Sequence, residues 1–143
     1  EVRPGNLLFY DLMQVQIGSC SHQEIAVAMA CPVVAKHPDR QEIVLYGGGV
    51  HFSKEQMTLD GQPCYGLPVQ LQEDGRWSSP LAGSYMKKLS QEHGILHASP
   101  ALMQSLQPGD LIGILPVHSC MTADCMGRYL SLEGTWLEMM PRH

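Results

Sequence analysis

Leu106-Gln107-Pro108-Gly109-Asp110 runs directly into Leu111-Ile112-Gly113-Ile114-Leu115-Pro116-Val117. Proline followed by glycine marks a turn, and the short apolar run behind it reads as a strand buried in a core. Similar punctuation recurs at short intervals along the whole sequence, which favours many short strands over long helices. Expected strands cover Leu7 to Ile17, Ala26 to Lys36, Glu42 to Tyr46, Leu67 to Leu71, Tyr85 to Ser90, Asp110 to Pro116, Tyr129 to Leu132 and Thr135 to Met139. The last two flank Glu133-Gly134, a tight hairpin in which Gly134 takes a positive φ. Two short helical pieces are expected. One is capped by Ser21, with Glu24 at the capping-box position. The other is capped by Ser99, with Pro100 at its first position and Pro108-Gly109 after its end. The fold class is mainly β, a barrel or sandwich with a few short helices, and periodicity does not choose between the two.

At 143 residues the chain has the size of one domain. Only 16% of its residues are charged, against a usual share of about a quarter. Such a surface is expected to be covered in part by another domain or a partner subunit. The first residue is Glu1 rather than methionine, so the sequence is read as a fragment. A net charge of -5 argues against nucleic acid as a partner. Five cysteines at irregular spacing do not make a disulfide framework, so a reducing, cytoplasmic setting is expected. No run approaches the roughly 20 apolar residues that would cross a membrane.

The candidate chemistry lies just past the apolar run, in His118-Ser119-Cys120. In an extended backbone, residues i and i+2 share a face, so an imidazole nitrogen and a soft sulfur reach one point. That pair suits zinc or a similar divalent ion. The competing reading makes His118 a loop histidine and Cys120 a small buried hydrophobe. Glu92-His93 is the next candidate: His93 would ligate, orient a ligand or shuttle a proton, or the pair would simply shape a turn. Ser53 and Lys54 follow Gly47-Gly48-Gly49. That loop either approaches an anion through free N–H groups or bends tightly against another element. Cys125 and Asp124 are the further ligands considered, although a buried free thiol is the plainer role for Cys125.

Four phrases carry a resemblance. They are Pro4-Gly5-Asn6-Leu7-Leu8-Phe9-Tyr10-Asp11, Tyr46-Gly47-Gly48-Gly49-Val50-His51-Phe52-Ser53-Lys54, Leu89-Ser90-Gln91-Glu92-His93-Gly94, and Gly109-Asp110 through His118-Ser119-Cys120. In this order they are similar to the C-terminal β-domain of the D-serine dehydratase and D-threonine aldolase group, pyridoxal-phosphate enzymes of the alanine racemase fold type. The resemblance implies a barrel-like β-domain spanning residues 1–143. It also implies an N-terminal (β/α)8 barrel in the same polypeptide, whose lysine holds pyridoxal phosphate. The active site would lie between the two, completed by a homodimer. The metal pair carries over onto His118 and Cys120, and thiolate in place of carboxylate favours zinc and the dehydratase branch. Tyr10 would approach the partner barrel and the cofactor, Asp11 would hold a neighbouring donor, and Glu92 and His93 would support catalysis. None of Lys36, Lys54, Lys87 and Lys88 sits in a cofactor-lysine context, so this chain alone is not expected to bind pyridoxal phosphate.

The leading expectation is therefore a metal-bearing domain of a lyase acting on small D-β-hydroxy amino acids. A D-threonine aldolase or a racemase-like relative is the alternative within that class. A second class is a non-catalytic β-barrel binding or assembly module. A third, a thiol hydrolase built on Cys120 with His118 or His93, ranks last because no helix start is expected at Cys120.

Overall fold

The computed structural model of the protein describes residues 5–139. Its strands are β1 (Met29–His37), β2 (Glu42–Tyr46), β3 (Met57–Leu59), β4 (Gln62–Cys64), β5 (Gly66–Val69), β6 (Tyr85–Leu89), β7 (His93–His97), β8 (Leu111–Pro116), β9 (Arg128–Leu130) and β10 (Trp136–Glu138). The short helices are α1 (Leu12–Gln16), α2 (Gly49–Phe52), α3 (Pro100–Ser105) and α4 (Ser119–Met126). Six strands form one antiparallel sheet in the order β5-β8-β1-β2-β7-β6. The N–H of Tyr65, next to β5, donates to the Met86 carbonyl of β6 at 2.8 Å. That bond brings the two ends of the sheet together, and the sheet becomes a nearly closed barrel.

Strand β8 is the spine, and every residue from Ile112 to Pro116 is buried. Ile112 and Ile114 point into the barrel, where they meet Cys31, Val33, Ile43, Leu45, Met86 and Leu96. Leu115 and the following Val117 point outward into a second cluster with Leu12, Ile25, Leu67 and Val69. A strand covered on both faces reads as a continuous apolar run, which is why the Leu111 to Val117 stretch shows no alternation. The outer cluster is roofed by the N-terminal segment.

That roof corrects the expected strand from Leu7 to Ile17. The segment is instead a 3-10 turn, Asn6–Leu8, followed by α1. Asp11 caps α1 by accepting the Gln14 N–H at 3.1 Å, and this polar cap outweighs the β-like look of the apolar residues around it. Strand β7 is a second departure, because Gly94 reads as a turn. The glycine is required by crowding: a Cβ there would stand 2.7 Å from the Gly47 carbonyl and 2.5 Å from Met86 Sδ. The β3–β4 ribbon was also missed, although its turn carries a plain signal, Asp60-Gly61, with φ of 49° and 78°. Both expected helical starts are present. Ser21 and Glu24 form a capping box on His22–Glu24, and Ser99 accepts the Leu102 N–H at the head of α3. The Glu133-Gly134 hairpin joins β9 to β10, with Gly134 at φ 81°.

Candidate functional site

Strand β8 ends at Pro116, and the chain leaves the barrel through Val117 and His118 into α4. His118 is the residue before the helix, with extended angles of φ -130° and ψ 104°. Cys120 is the second helical residue. The extended geometry expected across His118-Ser119-Cys120 therefore holds only at His118, and a strand-to-helix corner presents the pair. The missed helix has a physical reason. Its buried residues are Ser119, Thr122 and Ala123, a small stripe at helical spacing that carries little apolar signal. Gly127, at φ 70°, closes it with a left-handed cap.

The corner is tied down from the far end of the chain. Asp11 is completely buried. Its Oδ2 accepts the Ser119 N–H at 2.8 Å and the Asn6 side-chain amide at 2.6 Å, while Oδ1 caps α1. One carboxyl thus caps two helices, its own and α4, where a negative group at a helix N-terminus is favourable. Asn6 then presents its Oδ1 to Cys120 Sγ, which donates to it at 2.6 Å. Just before Asp11, Tyr10 takes φ 53°, a left-handed conformation uncommon for a residue other than glycine. Tyr10 itself is half-buried and packs on the outer apolar cluster.

His118 is half-buried and Cys120 exposed. Among the described residues no group of three His, Cys, Asp or Glu side chains is placed to hold a metal. Neither Cys125 nor Asp124 therefore completes such a set, and both are exposed. One nitrogen and one sulfur from this chain would leave several coordination positions open, as a catalytic ion requires and a closed structural one does not. Between the two donors, Ser119 Oγ is buried with no hydrogen-bond partner, a rarity in a folded interior. The donor set fits a borderline-soft divalent ion. Beside the corner, burial raises the Tyr129 phenol above its ordinary range, with the charge of Cys120 adding to it. Tyr129 stacks on Phe9 with centroids 5.1 Å apart. The two rings border a cavity of about 830 Å³, also lined by Ile25, Val27, Trp77 and Leu137.

Glu92 and His93 lie elsewhere in the hydrogen-bond pattern, at the turn into β7, and among the described residues none of their hydrogen bonds reaches His118 or Cys120. The His93 ring meets Tyr46 edge-on at 5.9 Å, and Tyr46 meets His51 at 5.0 Å. The glycine loop binds this same turn. Gly47, Gly49 and Val50 donate their N–H groups to the carbonyls of Glu92, Ser90 and Gln91, and Gly48 donates to His51 Nδ1. These N–H groups are therefore occupied, and the loop is a backbone clamp rather than an anion cradle. The expectation of no helix start at Cys120 does not hold, because the thiol sits in the first turn of α4. Its hydrogen bond goes to an amide oxygen and not to an imidazole, so no nucleophile and base are paired there. Asn6 and Tyr129 were not singled out, and neither carries a spacing signal. Asp11 as a helix cap was legible from Gln14 three residues on.

A family model described as "Putative serine dehydratase domain" matches residues 26–132. The chain belongs to this family. D-serine dehydratase of Saccharomyces cerevisiae is 29% identical over 131 residues, covering 90% of this chain and 29% of the yeast protein. D-threo-3-hydroxyaspartate dehydratase of Delftia sp. is 28% identical over 139 residues, covering 94% of this chain and 36% of that enzyme. The chain thus spans about a third of the length of the relatives it matches. An alanine racemase-like protein from Idiomarina loihiensis superposes with a TM-score of 0.78 at 26% identity, over 96% of this serine dehydratase domain and 37% of its own chain. The Delftia enzyme has the same TM-score, 0.78. A D-threo-3-hydroxyaspartate dehydratase is also known as a Cys-to-Ala variant in the metal-free form and as a His-to-Ala variant two positions earlier. In the serine dehydratase domain described here, no helix among the described residues is long and apolar enough to cross a membrane.

Proposed function

We propose that this dehydratase-like domain bears the metal of an enzyme that removes water from a D-β-hydroxy amino acid. His118 and Cys120 hold zinc or a similar divalent ion. An N-terminal barrel of the same polypeptide carries pyridoxal phosphate, and two copies pair as a homodimer in the cytoplasm. The observation that carries the reading is the His-x-Cys corner itself, half-buried imidazole beside exposed thiol. Support comes from a D-threo-3-hydroxyaspartate dehydratase whose alanine variants replace a histidine and a cysteine at the same separation, the cysteine variant having been solved in a metal-free form. Five unpaired cysteines agree with a reducing compartment. Exposed Leu7, Leu8, Leu132 and Trp136 agree with a further domain over this surface.

A divalent ion held by His118 and Cys120 would supply Lewis acidity toward the substrate's β-hydroxyl, so that the C–O bond breaks with its electron pair on oxygen and the hydroxide takes up a proton, equivalent to the one lost from Cα, to leave as water. The Cα proton goes to a base outside this chain. The chain's own contribution is to present one nitrogen and one sulfur on a rigid frame, β8 on one side and α4 on the other, leaving room for substrate oxygen. Tyr10, Glu92 and His93 act at a remove. Tyr10 turns the backbone that aims Asp11, while Glu92 and His93 hold the glycine clamp and the Tyr46 ring. The competing aldolase reading would suit a carboxylate better than the Cys120 thiol.

Elemental analysis of the purified, zinc-loaded chain tests the reading. Near-stoichiometric zinc in the wild type, lost in both His118→Ala and Cys120→Ala, is the expected result. A wild type that retains no metal after loading would sink it.

A further inference from the structure

We infer that Asp11, acting through Asn6, is a positioning residue for the Cys120 ligand. The inference rests on the metal reading above and adds residues that lie outside the 26–132 segment matched by the family model. Asp11 is wholly enclosed, and each of its oxygens is aimed at a nearby donor. A buried carboxyl needs such partners, and few arrangements of three donors satisfy it. One donor, the Ser119 N–H, belongs to the residue between His118 and Cys120. Its direction fixes where the first turn of α4 begins, and hence where the Cys120 side chain leaves the helix. Another donor, the Asn6 amide, is held with its own oxygen toward Cys120 Sγ at 2.6 Å. Groups of this kind, behind the ligands, set ligand direction in metal sites.

The test uses the full chain and cobalt(II) as the probe, because its sulfur-to-metal absorption band reports the thiolate directly. Wild type should show the band, and Cys120→Ala should lack it. Asp11→Asn keeps the volume but weakens the two-helix cap. Its cobalt affinity should fall ~10- to 100-fold, the usual effect of altering the shell behind a ligand, with the band present at saturation. Asn6→Ala leaves both helix caps in place and should also weaken binding, by about tenfold on the same basis. Leu12→Ala is the control: it removes apolar packing beside Asp11 without touching its carboxyl, so it should lower the melting temperature and leave affinity unchanged. Binding within twofold of wild type in both Asp11→Asn and Asn6→Ala would overturn the inference while leaving the metal reading intact. Affinity that tracks melting temperature across all variants, Leu12→Ala included, would overturn it as well. A wild type without the band would bring down the metal reading and this inference with it.

Discussion

Cys31 is enclosed in the barrel interior, and burial pushes its thiol up to about 12. Cys64 is equally enclosed, and burial raises its thiol as well. Cys20 is half-buried and raised, first by burial and then by the charges of Glu24 and Asp11. Cys120 and Cys125 alone stand exposed. Because the thiolate is the reactive form, alkylation of the folded chain at neutral pH should label Cys120 and Cys125 quickly and leave Cys31 and Cys64 untouched. Zinc should then protect Cys120 but not Cys125. Mass spectrometry after brief iodoacetamide treatment reads both outcomes, and labelled Cys31 in the native protein would contradict the packing described. The His118-Cys120 pair was legible as residue types, since nitrogen and sulfur two positions apart need no structure to be noticed. Asn6 was not legible, because its role comes from a contact across 114 positions that no local pattern encodes.

At the scale of elements, the two motifs Tyr46 to Lys54 and Leu89 to Gly94 meet backbone to backbone. A Cβ on Gly48 would stand 2.5 Å from the Gln91 carbonyl oxygen, the Glu92 carbonyl carbon and the His93 nitrogen. Backbone cannot step aside as a side chain does. Gly48→Ala should therefore destabilise the domain by about 1–3 kcal/mol, the range for overpacking, measured by urea unfolding. A change near zero would show that the clamp is looser than its hydrogen bonds imply. Strands whose apolar residues alternate or run continuously, β2 and β8 above all, were readable because periodicity is a local property. Strand β7 and helix α4 were not. The reason for Gly94 lies in Gly47 and Met86, and the reason for α4 lies partly in Asp11, far away in sequence. Helix α1 falls between these cases, with a readable cap inside an apolar stretch that resembles a strand.

Across the whole molecule, the barrel is cross-braced by Glu42. Its carboxylate in β2 reaches past β7 to Lys87, in the bulge of β6, at 2.7 Å, and also meets Arg40 at 2.8 Å. The Lys87 hydrogen bond and then that of Arg40 hold the carboxyl down at about 2, against an ordinary 4.5. A group lowered on folding adds stability that is complete above its unfolded value and drains away as pH falls toward its folded one. Wild type should therefore lose stability between about pH 4.5 and 2. Glu42→Gln should be weaker than wild type at pH 7 and show a flatter profile over that acid window in urea titrations. Parallel profiles for the two proteins would refute the brace. The bond from Asp11 to Ser119 has a different reach, since 108 positions separate its ends. Synthesis runs from the N-terminus, so Asp11 leaves the ribosome long before Ser119 exists. Until then its carboxyl has one missing donor, and the small helix it caps lacks the part of its apolar bed that Leu115 and Val117 supply. The corner that presents His118 and Cys120 is thus assembled only after the six strands of the barrel, and a chain cut short before α4 has that whole sheet but not the corner.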